Sequence, residues 1–192
     1  MASTVDNITT AARRLLDKDG ADAVTMRRVA SAVGITPMAI YRHYADRSAL
    51  LNELADAGFE ELAARLTKAR YSGSVEERLL RMADIFLEHA LENPRLFELM
   101  FLERRPGARQ FPRDFKMGRS PTANLMEEAV RDGIQRGELR DDDDPWEVVF
   151  ALGALSHGLI MLYLGGRLSV SPARFRTLYR QSFKRYIRGI RR

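Results

Sequence analysis

The residues best suited to chemistry lie in one short stretch, TPMAIYRHYADRSAL, which covers residues 36–50. Two tyrosines, a histidine and an arginine stand close together there around one aliphatic anchor, Ile40. Hydroxyl, imidazole and guanidinium groups all donate hydrogen bonds to phosphate oxygens or base edges. A short helix of this composition is too polar for a core and too aromatic for an idle surface, which predicts that it contacts another molecule.

The elements on either side of this stretch predict a helix-turn-helix. An amphipathic helix is expected to begin after Thr25 as N-cap and to end at Gly34, because glycine tolerates the positive φ of a helix end. Its apolar residues have the spacing i, i+3, i+4, i+7: Met26, Val29, Ala30 and Val33. Thr36 can cap the next helix, with Pro37 at its first position. Only Gly34 and Ile35 join the two helices, which is typical of a helix-turn-helix.

The second of these helices has two distinct faces. At about 100° per residue, Ile40 and Tyr44 lie together and can anchor the helix on the two before it. Met38 and Arg42 fall on the opposite side and face outward. Two further hydrogen-bonding residues flank the buried edge: Tyr41 and His43. This arrangement suits a helix in the major groove of DNA, where outward residues meet base edges and flanking residues meet phosphates.

Further phosphate-binding groups are predicted at two helix starts. Thr25 can offer its hydroxyl together with the free backbone N–H groups of the helix it caps. Arg27 and Arg28 follow directly. Arg47 begins the fourth predicted helix, where the guanidinium and the helix dipole would act on the same phosphate.

The run TMRRVASAVGITPMAIYRHYADRSALLNEL, residues 25–54, resembles the DNA-binding domain of the TetR family of bacterial transcriptional regulators. The similarity covers about residues 5–55. Its most specific parts are the motifs Ala32-Val33-Gly34-Ile35-Thr36 and Ile40-Tyr41-Arg42-His43-Tyr44. One departure is Arg47, where the family commonly has lysine.

The resemblance implies a role for each matching residue. Four residues would contact phosphates: Thr25, Tyr41, His43 and Arg47. Four residues would be candidates for contacting bases: Thr36, Pro37, Met38 and Arg42. Because Pro37 and Met38 offer few hydrogen bonds, sequence recognition is expected to depend on Arg42 and on apolar contact with thymine methyl groups.

The predicted fold class is all-α, with about nine helices and no strand pattern. A three-helix helix-turn-helix DNA-binding domain is expected over residues 1–50, and a helical ligand-binding and dimerisation domain over residues 51–192. Residues 104–119 are predicted to form a loop or short irregular turns. The resemblance implies a symmetric homodimer through the last two helices, beginning at Pro145 and Pro172, and a small-molecule pocket among helices four to eight. The segment SHGLIMLYLGG is similar to a histidine-glycine feature of one group of such domains.

Large apolar residues and two histidines of the C-terminal part are candidates for lining this pocket. They are Met82, Phe86, His89, Phe97, Met100, Phe101, Met126, Trp146, Phe150, His157 and Met161. Each apolar residue could equally be part of the core. Each histidine could hydrogen-bond a ligand or be satisfied within the core.

Charge is distributed unevenly along the chain. The net charge is +5, yet residues 174–192 carry eight basic and no acidic residues, so the remainder carries 23 − 26 = −3. Nucleic-acid contact must therefore be local. The basic end is interpreted as the solvated face of the last helix, with a second contact to DNA or an acidic partner as the alternative. The acidic run Asp141 to Asp144 is expected to stabilise the start of the helix at Pro145.

Several classes are disfavoured. The chain has no cysteine, no metal-ligand spacing, and no nucleophile–base pair or phosphate loop, so no cofactor, no metal and no enzyme activity are expected. The N-terminus lacks the pattern of a secretory signal, which favours a cytoplasmic protein. The apolar run from Val148 to Gly166 could span a membrane, but burial within a soluble assembly is favoured.

The favoured hypothesis is a DNA-binding regulator, a repressor released from a palindromic operator by a small molecule. The alternative is a helix-turn-helix factor whose C-terminal domain responds to a protein partner. An apolar cavity with a few polar groups would favour a small molecule, whereas a filled core with an exposed apolar patch would favour a protein.

Overall fold

A computed structural model describes residues 3–192 of the chain, and these residues form helices without any β-strand. The all-α prediction is confirmed. The α-helices are α1 Thr4–Asp19, α2 Met26–Val33, α3 Pro37–Tyr41, α4 Arg47–Lys68, α5 Val75–Glu92, α6 Pro94–Phe101, α7 Arg113–Lys116, α8 Pro121–Gln135, α9 Pro145–Leu164 and α10 Pro172–Gly189. A 3-10 turn, Ala21–Ala23, joins α1 to α2.

The helices form two compact units. The first unit runs up to Glu61 and also contains Glu92–Ala108, whereas the second contains Leu62–Leu91 and Arg109–Arg192. The division falls inside α4, and α6 belongs to the first unit. The functional domains expected over residues 1–50 and 51–192 stay a prediction.

Local capping defines the helix-turn-helix as the sequence predicts. The Thr25 hydroxyl accepts a hydrogen bond from the backbone N–H of Arg28 at 3.2 Å, and the Thr36 hydroxyl accepts one from Ala39 at 3.3 Å. Gly34 ends α2 with φ of +76°, a left-handed conformation that favours glycine. The core beneath these helices consists of fully buried apolar side chains: Ile8, Ala12, Leu16, Val29, Ile40 and Leu50.

Helix α3 is shorter than the sequence pattern indicates, because it ends at Tyr41. The backbone nevertheless continues to turn: Arg42 has helical φ and ψ, and the N–H groups of His43 and Tyr44 both donate to the Ile40 carbonyl, at 2.8 and 3.0 Å. The side chains therefore keep helix-like directions beyond the last helical residue. Asp46 then accepts a hydrogen bond from the Ala49 N–H at 2.8 Å and caps α4.

Polar side chains fasten α6 to the other helices of the first unit. The Arg13 guanidinium on α1 donates to Asn93 at 2.8 Å and pairs with Glu61 on α4 at 3.1 Å. Beyond the C-terminal end of α6, Arg105 donates to Asn52 of α4 at 2.8 Å. Helices α4 and α6 also approach closely at Gly58, where a Cβ would lie 2.7 Å from the sulfur of Met100. Alanine at this position would therefore require the side chains of Met100 and Leu96 to shift.

The second unit is built around α9 and α10. One face of α10 is buried and consists of three aromatic residues and an isoleucine: Phe175, Tyr179, Phe183 and Ile187. The Tyr179 and Ser156 hydroxyls are hydrogen-bonded at 2.6 Å inside this core, and the rings of Tyr163 and Phe175 stack with centroids 4.0 Å apart. Burial raises the pKa of Tyr179, so its phenol stays protonated and available as a donor.

A ladder of ion pairs joins α5 to α10 on the outside of this core. Arg176 donates two hydrogen bonds to the Glu88 carboxylate, at 2.7 and 2.8 Å, and Arg180 pairs with Asp84. Arg188 and Arg191 both lie near Glu76, at 3.9 and 3.8 Å. The hydrogen bond from Arg176 lowers the pKa of Glu88. The basic end, interpreted from sequence as a solvated face, is thus partly neutralised by the acidic residues of α5.

The segment predicted as a loop, residues 104–119, contains the short helix α7 and is organised by Asp114. This buried carboxylate accepts hydrogen bonds from the side chain of Arg113 at 3.0 Å, the N–H of Gln110 at 2.8 Å and the side chain of Arg119 at 3.1 Å. The hydrogen bond from Arg113, helped by that from Gln110, lowers the pKa of Asp114 from 3.8 to about 2. The turns around α7 therefore depend on a charged carboxylate.

We expect the structure around α7 to weaken at low pH. The pKa of Asp114 is lower in the folded chain, so its contribution to stability is complete above pH 3.8 and is lost as the pH falls toward about 2. Trp146, the sole tryptophan, packs edge-on against Phe115 at 6.3 Å and reports on this segment by fluorescence. Asp114→Asn should remove the wild-type fluorescence change in this pH window.

The matched control for this titration is Asp142→Asn, which removes an exposed carboxylate that Arg140 holds. Its fluorescence profile should follow that of the wild type. A wild-type profile for Asp114→Asn would show that another group is responsible.

Helix α9 is long and apolar enough to cross a membrane by length and composition, and among residues 3–192 it is the one helix that meets this test. Only 28% of its most apolar 18-residue window is buried within the chain. Five of its apolar residues are exposed: Phe150, Ala154, Gly158, Met161 and Leu162. Phe150, Ala154, Gly158 and Leu162 are spaced by four residues, and Met161 is adjacent to Leu162. These five residues form one apolar face, which we call the α9 face.

Candidate nucleic-acid interface and effector site

Helix α3 presents the outward side that the sequence predicts. Ile40 is fully buried and Tyr44 is 8% exposed, which confirms the predicted anchoring pair. Met38 is 70% exposed and Tyr41 is 49% exposed, and Arg42 and His43 are also exposed. Thr36 and Pro37 lie exposed at the start of the same helix. Hydrogen-bonding and apolar side chains are therefore accessible together on α3 and the turn that follows it.

The start of α2 adds a second accessible group of donors. Thr25 is partly buried as the N-cap, whereas Arg27 and Arg28 are exposed. Arg28 also pairs with Asp19 at the end of α1, at 2.6 Å, an interaction that the sequence pattern does not predict. This pair holds the Arg28 guanidinium close to the surface of the first unit, where a competing phosphate could replace the carboxylate.

Arg47 has a structural contact in addition to its predicted phosphate contact. Its Nε donates to the backbone carbonyl of Val24 at 2.8 Å, and one Nη donates to the carbonyl of Ala21 at 2.7 Å. Arg47 therefore ties the first turn of α4 to the connection between α1 and α2. Sequence analysis missed this function because carbonyl groups occur at every residue and leave no pattern. Contact of Arg47 with phosphate stays a prediction.

The candidate effector residues are divided between the two units. Phe97, Met100 and Phe101 of α6 lie in the first unit, where Phe101 packs edge-on against Phe59 at 5.2 Å. The other eight lie in the second unit: Met82, Phe86, His89, Met126, Trp146, Phe150, His157 and Met161. Met82 and His89 are buried, whereas Phe150 and Met161 are 51% and 45% exposed on the α9 face. Their role as a pocket lining stays a prediction.

Two of these candidates meet across α5 and α9. The rings of Phe86 and His157 lie 5.5 Å apart, tilted by 40°. Burial lowers the pKa of His157 from 6.5 to about 4, so this imidazole is neutral at physiological pH. A neutral imidazole can donate one hydrogen bond and accept another, which suits a polar group of an uncharged ligand or the interior of the chain.

Two aromatic residues that sequence analysis left unassigned pack on the start of α9. Phe111 stacks on Phe150 with centroids 4.4 Å apart, and Phe115 meets Trp146. The α7 segment therefore covers part of the surface to which these two candidates belong. No sequence spacing links residues 111 and 115 to residues 146 and 150, since the contact depends on how the loop folds back.

A separate open cleft of about 670 Å³ lies between α5 and α10 in the second unit. Its lining is largely charged and includes Arg81, Asp84, Arg180 and Lys184. None of the eleven candidate effector residues lines this cleft. Within residues 3–192 there is also no cluster of three or more histidine or carboxylate side chains arranged to hold a metal ion.

Two family models match the chain. One, described as bacterial regulatory proteins of the tetR family, matches residues 8–54, and another, described as a tetracyclin repressor-like C-terminal domain, matches residues 79–188. The second match alone covers 110 of 192 residues, since 188 − 79 + 1 = 110. The chain belongs to the TetR family, and the resemblance found in the sequence is confirmed. Family membership places it among regulatory proteins rather than enzymes.

Individual relatives agree with this assignment. HTH-type transcriptional regulators Mb1846 of Mycobacterium bovis and Rv1816 of Mycobacterium tuberculosis are each 27% identical to the chain over 135 residues. The match covers 69% of this chain but 57% of the length of those regulators.

Solved structures show the same fold. A protein of unknown function from Rhodococcus sp. RHA1 has a TM-score of 0.82 at 25% identity, covering 100% of this chain and 97% of its own. FadR from Bacillus subtilis, solved in complex with stearoyl-CoA, has a TM-score of 0.72 and covers 97% of this chain and 100% of its own. At 14% identity the likeness to FadR concerns the fold alone.

Proposed function

We propose that the chain is a cytoplasmic, DNA-binding transcriptional repressor that acts as a homodimer and is released from a near-palindromic operator by a small molecule. The observation that carries this proposal is the outward side of α3. An exposed methionine, arginine, tyrosine and histidine surround a buried isoleucine on a helix that a helix-turn-helix places for groove entry.

Recognition of the operator follows from the directions of these side chains. Arg42 points away from the core, and a guanidinium in the major groove can bind O6 and N7 of one guanine with two hydrogen bonds. Met38 beside it offers apolar contact to a thymine methyl group. Tyr41 and His43 lie on either side of the buried edge and donate to phosphates. These contacts set the position of the protein on the DNA without selecting a sequence.

The start of α2 provides a second phosphate anchor. Thr25 caps this helix, whose first backbone N–H groups have no carbonyl partner within the helix, and Arg27 and Arg28 lie in its first turn. Helix dipole, hydroxyl and guanidinium groups all favour an anion at this position. Arg47 supports the site by fixing the start of α4 against the α1–α2 connection, so that α2 and α3 are held in one rigid arrangement.

The homodimer is proposed to form through α9 and α10. The α9 face is apolar, and its small residues Ala154 and Gly158 allow a second helix to approach closely. Burial of apolar surface at about 25 cal/mol per Å² would drive two copies together as a four-helix bundle. A two-fold axis then presents two α3 helices to half-sites ~34–36 Å apart, about one turn of DNA.

Release is proposed to depend on a ligand in the C-terminal domain that favours a different separation of the two α3 helices. Couplings of this kind are typically about 1–3 kcal/mol. Helix α4 has residues in both compact units, so it is the element able to transmit the change. The fold neighbour FadR was solved with stearoyl-CoA, which supports a small-molecule effector for this chain as well. Equal α3 separation in ligand-bound and DNA-bound crystals would contradict the proposal.

The proposal predicts that substitutions at two neighbouring residues weaken DNA binding with different dependence on the DNA sequence. Arg42→Ala should weaken binding to the cognate operator by about 1–3 kcal/mol and relax preference at one base pair, because it removes a contact to a base. Tyr41→Phe should weaken cognate and random duplexes alike, because it removes only a phosphate contact. Fluorescence anisotropy with operators found by genomic footprinting measures both effects. Equal losses on cognate and random DNA for Arg42→Ala would exclude Arg42 from base recognition.

A further inference from the structure

Arg78 is a partly buried arginine whose hydrogen-bonding capacity is only partly used. It lies on α5, its side chain is 12% exposed, and its Nη1 donates to Asp132 of α8 at 2.5 Å. Its Nε and Nη2 are also buried, and no protein atom accepts a hydrogen bond from either. Arg78 and Asp132 both belong to the second unit.

The two unused atoms form a specific edge of the guanidinium. The N–H groups of Nε and Nη2 point in parallel, at a spacing that matches the two oxygens of a carboxylate. This chain uses the same edge elsewhere. Arg176 holds Glu88 through Nε and Nη2 at 2.7 and 2.8 Å, and Arg113 holds Asp114 through the same two atoms at 3.2 and 3.0 Å. In Arg78 this edge lacks a protein carboxylate.

The chain cannot relieve this situation by losing the charge. A guanidinium stays protonated in proteins, and buried donors without acceptors destabilise the fold. Asp132 compensates for the charge of Arg78, but it is itself shared with Arg136, whose Nε lies 3.1 Å away. The described residues offer no acceptor for the second edge, so a water molecule or a ligand must supply one.

Buried apolar residues lie near Arg78 along α5 and near Asp132 along α8. Met82, one turn further along α5, is 4% exposed, and Ala129 and Val130, one turn before Asp132 on α8, are 6% exposed and fully buried. Met82 is one of the candidate effector residues. A ligand that reached this edge would combine an anionic group at the guanidinium with an apolar body along α5 and α8.

We propose that the effector of this regulator is an organic acid and that Arg78 binds its carboxylate through Nε and Nη2. This inference rests on the proposed function, which requires an effector in the C-terminal domain, and adds its chemical class. The acid carries one carboxylate and an apolar chain or ring, and Asp132 holds the guanidinium in position for it.

The test uses two acids and their neutral counterparts as probes. Decanoate and 3-phenylpropionate are titrated calorimetrically into the full chain, and decan-1-ol and 3-phenylpropan-1-ol serve as alcohols of the same shape. We expect one of the acids to bind the wild type at least about tenfold more tightly than its alcohol, because the alcohol cannot form the paired hydrogen bonds.

Two variants locate this binding. Arg78→Gln should weaken the acid by at least about tenfold. The matched control is Arg136→Gln, because Arg136 contacts the same carboxylate of Asp132 but its side chain is 57% exposed. It should bind the acid like the wild type. If Arg78→Gln does not fold, as judged by circular dichroism, Arg78→Lys retains the charge without the paired N–H groups and should show the same loss.

Three results would overturn the role of Arg78: unchanged acid affinity in the Arg78 variants, equal binding of acid and alcohol, or no binding of either acid to the wild type. Operator binding, measured in parallel by fluorescence anisotropy, separates this inference from the proposed function. Operator release by an alcohol would retain the ligand-released repressor and reject the acid. Acid binding through Arg78 that leaves operator affinity unchanged would retain the site and reject ligand release.

Discussion

Replacing Ile40 by alanine is expected to lower the free energy of unfolding by about 2–5 kcal/mol and to abolish specific DNA binding. Ile40 is fully buried, and its side chain is the anchor that holds the short helix α3 against the rest of the first unit. Removing it leaves a cavity that a five-residue helix cannot fill by shifting as a unit. Urea denaturation followed by circular dichroism measures the stability, and anisotropy measures the DNA affinity.

The matched control lies two residues away on the same helix. Met38 is also large and apolar, but 70% of it is exposed, so Met38→Ala should change the free energy of unfolding by less than about 0.5 kcal/mol. Its effect should appear in DNA affinity alone. The proposed orientation of α3 is wrong if Met38→Ala destabilises the chain as much as Ile40→Ala, or if it leaves both stability and DNA binding unchanged.

Leu162→Arg is expected to convert the proposed dimer into monomers. Leu162 is 46% exposed on the α9 face, where a dimer would remove it from water. A guanidinium in that position would be buried in the proposed interface without a partner. Since a monomer contacts one half-site, operator affinity should fall by about 100-fold or more. Sedimentation velocity and anisotropy measure the two consequences.

Leu102→Arg provides the control for this substitution. Leu102 follows α6 and is 44% exposed, so the chemical change and the initial exposure are nearly the same as at Leu162. It lies in the first unit, whereas the α9 face belongs to the second, and the variant should remain dimeric with wild-type operator affinity. Dimers of Leu162→Arg, or monomers of Leu102→Arg, would remove α9 from the proposed interface.

The amino-acid sequence by itself determined the parts of this protein that depend on neighbouring residues. Thr25 and Thr36 cap α2 and α3 because a hydroxyl three residues before a free N–H is in reach of it. Gly34 ends α2 because it adopts a positive φ at little cost. The burial of Ile40 and the exposure of Met38 follow from helical angles alone, and so the candidate DNA-binding face could be predicted residue by residue.

Only the tertiary structure decided which distant groups meet. Arg47 bonds to carbonyls more than twenty residues earlier, the acidic residues of α5 neutralise α10, and Asp114 organises a segment that looks irregular in sequence. The unused edge of Arg78 also becomes visible only when the partner of its other edge, Asp132, is known. Contacts of this kind depend on which helix faces pack together, and that is settled by the whole core, whereas capping and helical angles are settled within a few residues.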